Sequence, residues 1–564
     1  MVVFDYLFAA IPMLGILIFV HEFGHFALAK LCGVRVLKFS LGFGPAIGFG
    51  SHRLRWERGG TEYVIAWIPL GGFVRLLGEM LPGDESQSSL IPDDAQPHEF
   101  LNTKPIWQKI AITFAGPATN LLLPVVIFML MLWSGIPKTL AVVGMVERDS
   151  PAAHAGVEIG DRILEVAGEP IHWWSDVHQR IQLHDAGSVE FLLERAGEPL
   201  AITVPLGSRS ALDLLGDVKE VGWVGLDSRR LPALLGVADM ASGAGAAGLR
   251  SGDWVVAVGD REVEDWREFA EAYSAVPIGE EVSLRVREGG MGEEGPEREV
   301  VVPALGDVEA LGVLSATVLV RTVQEGMPAA NAGLRRGDLI LEVDGKAVGS
   351  FRTFADTVRS SEGRSLEIAY ARDGEVSRVA VTPVLREVPG PFEIDGMEEN
   401  AYLVGIVHAM ASLPGVVGLD RERNPLIALP RAVSMTLDNI TLLLRGLGKL
   451  ISGQADSDQL RGPITIVQIA RKSLDMGWQT YLGMMIFISI NLGILNLLPI
   501  PILDGGQLLL YFIEGIKRSP LSLATQEFVQ QIGFVVLAMM VGLAFWNDLS
   551  GQWAKFIEWL SNEL

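Results

Sequence analysis

The chain has 564 residues and a mass of 61.1 kDa, more than a single hydrophobic core usually supports, so several domains are expected. Apolar residues make up 49%, charged residues 20%, and mean hydropathy is +0.33, which excludes both a disordered chain and an ordinary water-soluble enzyme and places part of the protein in lipid. The formal charge of −23 removes the basic footprint of a nucleic-acid binder, and a lone Cys32 excludes an intramolecular disulfide framework or a four-cysteine zinc site, so any metal must be held by His and carboxylates.

The first apolar run, YLFAAIPMLGILIFV, lies between Asp5 and Lys30 and is long enough to span a bilayer. It lacks the basic leader and small-residue cleavage site of a signal peptide and is read as a retained transmembrane helix. It ends in His21, Glu22, Phe23, Gly24 and His25. On a helix, positions four apart share a face, so both imidazoles can reach one Zn²⁺, while Glu22 beside them can take a proton from metal-bound water. Two His and one Glu at membrane depth are costly unless ligated or paired, which argues for function over a chance match. Cys32 follows in an apolar setting and is read as packing.

Residues 41–50 and 61–79 alternate apolar and polar positions around glycines, the pattern of a hairpin-like sheet. Periodicity alone leaves a plain loop dipping into the interface as the other reading. A second span fits Ile110 to Trp133 and contains FAGPATN, Phe114 to Asn120.

Three segments then align without gaps around a Gly-Asp pair: AGVEIGDRILEVAGEPI from Ala155, AGLRSGDWVVAVGDREV from Ala247 and AGLRRGDLILEVDGKAV from Ala332. Each predicts a small β-rich module with one or two helices. The middle copy has Gly243 where the others have Pro151 and Pro328, and carries an insertion, GGMGEEGPERE, from Gly289. Between residues 138 and 431 there are 28 Lys+Arg against 48 Asp+Glu, so nearly all the net negative charge lies in this region.

The stretch Ala432 to Ile451 is apolar, but Asp438, Arg445 and Lys449 form one polar stripe, the mark of an amphipathic surface helix instead of another span. A third span fits Tyr481 to Ile500 and a fourth about Phe528 to Trp546, which makes four. The third runs into NLLPIPILDGG, Asn496 to Gly506, where Pro499 and Pro501 interrupt the helix and free backbone groups that need protein or water. Asp504 in this run is the candidate third metal ligand; taken alone, L-D-G-G also fits a turn. Basic residues after the first span (Lys30, Arg35, Lys38, Arg53, Arg55, Arg58) and between the last two (Lys517, Arg518) place both loops in the cytoplasm and the acidic region outside. His21, His25 and Asp504 then fall at the same, inner, depth.

His21 to His25, FAGPATN and NLLPIPILDGG together resemble the site-2 protease family of intramembrane zinc metalloproteases, over nearly the full chain. The repeats resemble PDZ domains of the bacterial, protease-associated kind. The family resemblance implies Zn²⁺ on His21, His25 and Asp504, Glu22 as catalytic base, Asn496, Pro499 and Pro501 shaping the substrate path, and a re-entrant β element at residues 41–79. It also implies cleavage within transmembrane segments of single-pass membrane proteins already trimmed by another protease, such as anti-sigma factors or remnant signal peptides. PDZ modules bind extended peptides by strand addition, although a copy can equally fill space and exclude bulky ligands.

The expected architecture is a polytopic α-helical membrane protein of four transmembrane helices with inserted β-rich PDZ-like domains. Its parts are a first membrane segment (1–136), PDZ-like modules at 137–226, 227–312 and 313–388, a linker with amphipathic helices (389–479) and a second membrane segment (480–564). The expected location is a bacterial inner membrane with the modules on the periplasmic side. The rival reading is a membrane-anchored PDZ adaptor with a structural or vestigial metal; an ion transporter is disfavoured because no polar relay crosses the spans.

Overall fold

A computed structural model describes residues 2–49, 52–79, 91–92, 94–147, 150–182, 187–212, 218–288, 295–389, 398–408, 413–452, 462–519 and 521–563. It divides into two compact units: Met1–Ile136 with Pro389–Glu398 and Arg421–Leu564, and Pro137–Val388 with Glu399–Asp420.

The first unit is helical. Its helices are α1 (Val2–Leu31), α2 (Ile106–Ser134), α3 (Pro425–Ile451), α4 (Pro463–Asp475), α5 (Trp478–Asn496), α6 (Asp504–Lys517) and α7 (Leu523–Glu563). Five stretches are long and apolar enough to cross a membrane: Phe8–Leu31, Ile106–Ser134, Pro425–Lys449, Trp478–Asn496 and Thr525–Leu549. Four coincide with the spans expected from sequence. The fifth, on α3, is the segment expected to lie on the surface; its mean hydropathy of 1.2 is the lowest of the five. The core is built by α1, α2 and α5, with Met13, Leu17, Leu132, Ile486 and Ile490 fully enclosed, and Ala428 and Ala432 seat one face of α3 against it.

Between α1 and α2 the chain forms the sheet anticipated from its glycine-punctuated alternation. It consists of β1 (Val36–Ala46), β2 (Arg55–Arg58) and β3 (Thr61–Leu76), in the order β1–β3–β2. The long β3 folds back on β1, so that Phe39 opposes both Tyr63 and Val74.

The second unit holds three modules with one topology. Each is a four-stranded antiparallel sheet: Glu198–Pro205, Ser188–Arg195, Arg162–Val166 and Glu169–Pro170 in the first; Arg261–Glu262, Trp254–Val258, Glu281–Arg287 and Glu297–Pro303 in the second; Lys346–Ala347, Leu339–Val343, Leu366–Arg372 and Glu375–Val381 in the third. One helix packs on each sheet: Trp174–Gln182, Trp266–Ser274 and Phe351–Arg359. Strand alternation fills each core, with Val189, Phe191 and Leu193 inward in the first module, Val282, Leu284 and Val286 in the second, and Leu366, Ile368 and Tyr370 in the third. The third module's Val320–Val323 strand pairs with Ile406–His408, a strand that returns after residue 388. Residues 289–294 of the glycine- and glutamate-rich insertion lie outside the described residues.

The Gly-Asp pair that defines the repeat has a shared physical role. Asp161, Asp253 and Asp338 are buried, and each accepts a backbone N–H from three residues earlier, from Glu158, Arg250 and Arg335. A buried carboxylate needs a cation. Arg195 supplies it in the first module through bonds of 2.8 and 2.7 Å, Arg372 in the third through 2.6 and 2.7 Å, and Arg298 in the second through a 2.6 Å bond. The same arginines donate to the carbonyls of Gly156, Gly333 and Gly248, closing the A-G turn onto the sheet.

Candidate metal centre

His21 and His25 occupy successive turns of α1, and their Nε2 atoms lie 3.3 Å apart. The turn after α5 contains Pro499 and Pro501 and delivers Asp504 as the first residue of α6, where the positive end of the helix dipole favours a carboxylate. Asp504 thus begins a helix, where L-D-G-G taken alone fits a turn, and is a neighbour of the histidines. Its Oδ2 lies 3.3 Å from His21 Nε2 and its Oδ1 3.6 Å from His25 Nε2. Four ligands placed tetrahedrally around zinc at normal bond lengths are about 3.3–3.4 Å from one another. The two 3.3 Å separations match that spacing and the 3.6 Å one, to the other carboxylate oxygen, is slightly longer, so these three side chains fit a zinc ion. Among the described residues, this is the one group of three His, Cys, Asp or Glu whose ligand atoms all lie within 4.8 Å of one another.

Glu22 lies beside these three side chains and is buried, with 9% of its surface exposed. The backbone of β3 passes close to it: a Cβ on Gly72 would stand 3.0 Å from Glu22 Cγ. Of the other residues singled out in sequence, Asn496 touches the cluster. Asn496 ends α5 with Nδ2 3.4 Å from His21 Nε2. Pro501 lies against Gly533 of α7, where an added Cβ would come within 2.8 Å of the proline ring. Pro499 sits in the same turn, and no specific contact distinguishes it. Cys32 is partly buried, and its carbonyl accepts from Lys104 Nζ at 2.7 Å.

Glycines create the space that the candidate ligands occupy. Gly24 of α1 faces α2 so closely that a Cβ there would overlap the carbonyl of Ala115, and one on Gly116 would overlap the ring of His25. Gly505 and Gly506 are similarly pressed against the carbonyls of Leu497, Leu498 and Ile500, which lets α6 begin directly under the turn.

Two further α2 groups touch the histidines and were given no role by motif reading. His25 Nδ1 donates to the carbonyl of Ile112 at 2.9 Å, and the side-chain amide of Asn120 lies 3.2 Å from His21 Nδ1. Ile112, Gly116 and Asn120 are spaced by four, as are His21 and His25, so one stripe of α2 lies along the histidine-bearing stripe of α1. That shared spacing was the available signal.

Residues 9–540 match Peptidase family M50. The chain is 34% identical to the regulator of sigma-E protease RseP of Escherichia coli K12 over 541 residues, covering 96% of this chain and 97% of the relative. It is 29% identical over 546 residues to a Ralstonia nicotianae protein whose name includes the words zinc metalloprotease, covering 95% of this chain and 96% of the relative. Among solved structures, a PDZ domain of an SdrC-like protein from Listeria monocytogenes matches at 25% identity over 17% of this chain and 90% of that one, with a TM-score of 0.14.

Proposed function

The chain belongs to peptidase family M50 and is a polytopic zinc metalloprotease of the site-2, intramembrane type, and we propose that it holds its zinc on His21, His25 and Asp504 and uses Glu22 as general base. The observation that carries this assignment is the cluster of His21 Nε2, His25 Nε2 and the Asp504 carboxylate, with Nε2–Nε2 3.3 Å, His21 Nε2–Oδ2 3.3 Å and His25 Nε2–Oδ1 3.6 Å, beside a buried glutamate.

Zinc, when bound, polarises the scissile carbonyl, makes water acidic and stabilises the developing oxyanion. The protein's own part is to place the reactants. Glu22 accepts the proton of the attacking water and afterwards passes it to the leaving amine. Asn496 points its amide at the same space and can donate to the carbonyl oxygen as charge builds there. Pro499 and Pro501 keep the segment before Asp504 out of helix and so shape the path to the site.

A transmembrane helix hides its amides in its own hydrogen bonds and must be opened before it is cut. The β1–β3 sheet, with the Gly72 backbone next to Glu22, supports a role in holding an unwound substrate by main-chain bonds. The substrates are transmembrane segments of single-pass membrane proteins already trimmed by another protease, of the anti-sigma-factor or remnant-signal-peptide kind. The three modules receive peptide ligands or exclude bulky ectodomains.

The protein sits in a bacterial inner membrane with four spans. The α3 helix lies at the surface, because Asp438 and Arg445 would otherwise stand in hydrocarbon. The basic loops face the cytoplasm and the acidic modules the periplasm. A PDZ adaptor with a vestigial metal is set aside, since the complete family signature accompanies a cluster of two histidines and a carboxylate that fits zinc.

The test is zinc content and cleavage of a single-span substrate by the purified protein and by Glu22→Gln. One zinc in each, with cleavage only by the unaltered protein, is expected. Cleavage by Glu22→Gln overturns the assignment of the base.

A further inference from the structure

Asn120 lies at the middle of α2, is wholly buried, and belongs to the FAGPATN motif, to which the mechanism above gives no task. Its side chain meets His21 from the side opposite Asp504. His21 turns Nε2 toward Asp504 and His25, so that nitrogen carries the lone pair available to a metal. A neutral imidazole has one N–H, which must then sit on Nδ1. Nδ1–H needs an acceptor, because an unpaired buried donor costs about 1–3 kcal/mol.

As placed, the amide nitrogen of Asn120 faces Nδ1 at 3.2 Å, setting donor against donor, while Asn120 Oδ1 is buried and finds no hydrogen-bond partner among the described residues. The two ends of a side-chain amide have the same shape, and their assignment follows from the network around them. Exchanging them removes both faults at once: Oδ1 accepts from His21 Nδ1–H, and the stranded oxygen is satisfied. The other histidine already shows this arrangement, with Nδ1 donating to the Ile112 carbonyl at 2.9 Å. Ser489 Oγ donates to the Asn120 backbone carbonyl at 2.7 Å and ties this point of α2 to α5.

We propose that Asn120 is a positioning residue whose side-chain oxygen accepts the Nδ1 proton of His21, fixing the tautomer and ring orientation in which Nε2 is free to bind zinc. The inference rests on the assignment of His21 as a ligand. It makes α2 the source of the outer acceptors for both histidines, a side-chain amide for one and a backbone carbonyl for the other. Loss of such a partner typically weakens metal binding by about 10–100-fold.

The experiment measures the zinc dissociation constant of the full chain in detergent by competition with a chelator. The proteins compared are the unaltered chain, Asn120→Asp, Asn120→Leu and His21→Ala. Aspartate keeps the shape and accepts but cannot donate; leucine fills the space and does neither. Asn120→Asp is expected to bind zinc at least as tightly as the unaltered protein, and Asn120→Leu about 10–100-fold more weakly. If Asn120→Asp is weakened as much as Asn120→Leu, or Asn120→Leu is unchanged, the inference fails. His21→Ala separates the two levels: unchanged zinc binding there overturns the ligand assignment itself. A second readout needs no variant to fold. In zinc-loaded protein carrying ¹⁵N-labelled histidine, His21 should show the metal on Nε2 and a hydrogen-bonded proton on Nδ1, and metal on Nδ1 overturns the proposal.

Discussion

Gly116 leaves the space that His25 fills: a Cβ on this glycine would overlap the imidazole edge that faces Asp504. The glycine of the α2 motif therefore acts on the metal site by subtraction. Gly116→Ala forces either the ring or the helix to move, an overpacking cost of about 1–3 kcal/mol. Zinc affinity should fall and thermal stability with it. Gly483 of α5 has open space around its Cβ position, so Gly483→Ala should be neutral or stabilise by up to about 1 kcal/mol. Melting curves and zinc competition on the two variants check the contrast.

Asp504 is the one proposed ligand that arrives from the far end of the sequence. Asp504→Ala should lose both zinc and cleavage, unlike Glu22→Gln. Chelation of the unaltered protein should abolish cleavage and restoration of zinc should recover it, whereas zinc should not rescue Asp504→Ala. Metal content by atomic emission alongside a cleavage assay decides this; retention of tightly bound zinc by Asp504→Ala would exclude it as a ligand.

The arginine clamps predict a stability effect far from the metal. Arg372→Leu strands the Asp338 carboxylate, which is 0% exposed, without its cation. Breaking a buried pair from one side costs about 3–5 kcal/mol. Adding Asp338→Asn should recover part of that loss, because the stranded charge is gone. Protease susceptibility of the third module within the full chain, read across a urea series, reports both changes.

His408 supplies a pH dependence. Its ring stacks on Phe351 at a centroid distance of 3.8 Å and 4°, and burial, with the Arg229 guanidinium nearby, pushes its pKa below the usual 6.5. The folded state thus binds this proton less readily than the unfolded chain does. Stability is full above about pH 6.5 and declines as pH falls through the lowered value, since only the unfolded state gains the proton in that interval. His408→Phe keeps a ring against Phe351 and should flatten that part of the profile. Melting temperatures of both proteins between neutral and mildly acidic pH are the measurement; parallel profiles would exclude His408 as the source.

Much of the site was legible because its chemistry is local. His21, Glu22 and His25 read directly as a metal-binding helix face, and Asp504 could be paired with them from the depth at which its span ends. Span positions were legible from apolar length, although the status of α3 depends on how its charges are weighed against hydropathy. The modules announced themselves through Gly-Asp. What stayed hidden were partners whose spacing carries no rule. Arg195 and Arg372 each lie 34 residues beyond their aspartates, but Arg298 lies 45 beyond Asp253 and comes from the following strand. Asn120 was visible as a motif letter, yet only the crossing of α1 and α2 puts it against His21. The strand that completes the third module, Ile406–His408, pairs across an intervening stretch that no local pattern bridges.

The clamp in the middle module sets where modules could be exchanged. In the first and third, the cation rides on the strand next to the Gly-Asp strand; in the second it rides on the outermost one. A hybrid cut just before the outermost strand would keep Asp161 with Arg195, or Asp338 with Arg372, but would separate Asp253 from Arg298. Such a graft would inherit an anion in its core and no counterion. The unit that can be transplanted is therefore defined by the pair and not by the fold, and the middle module is the one that must move whole.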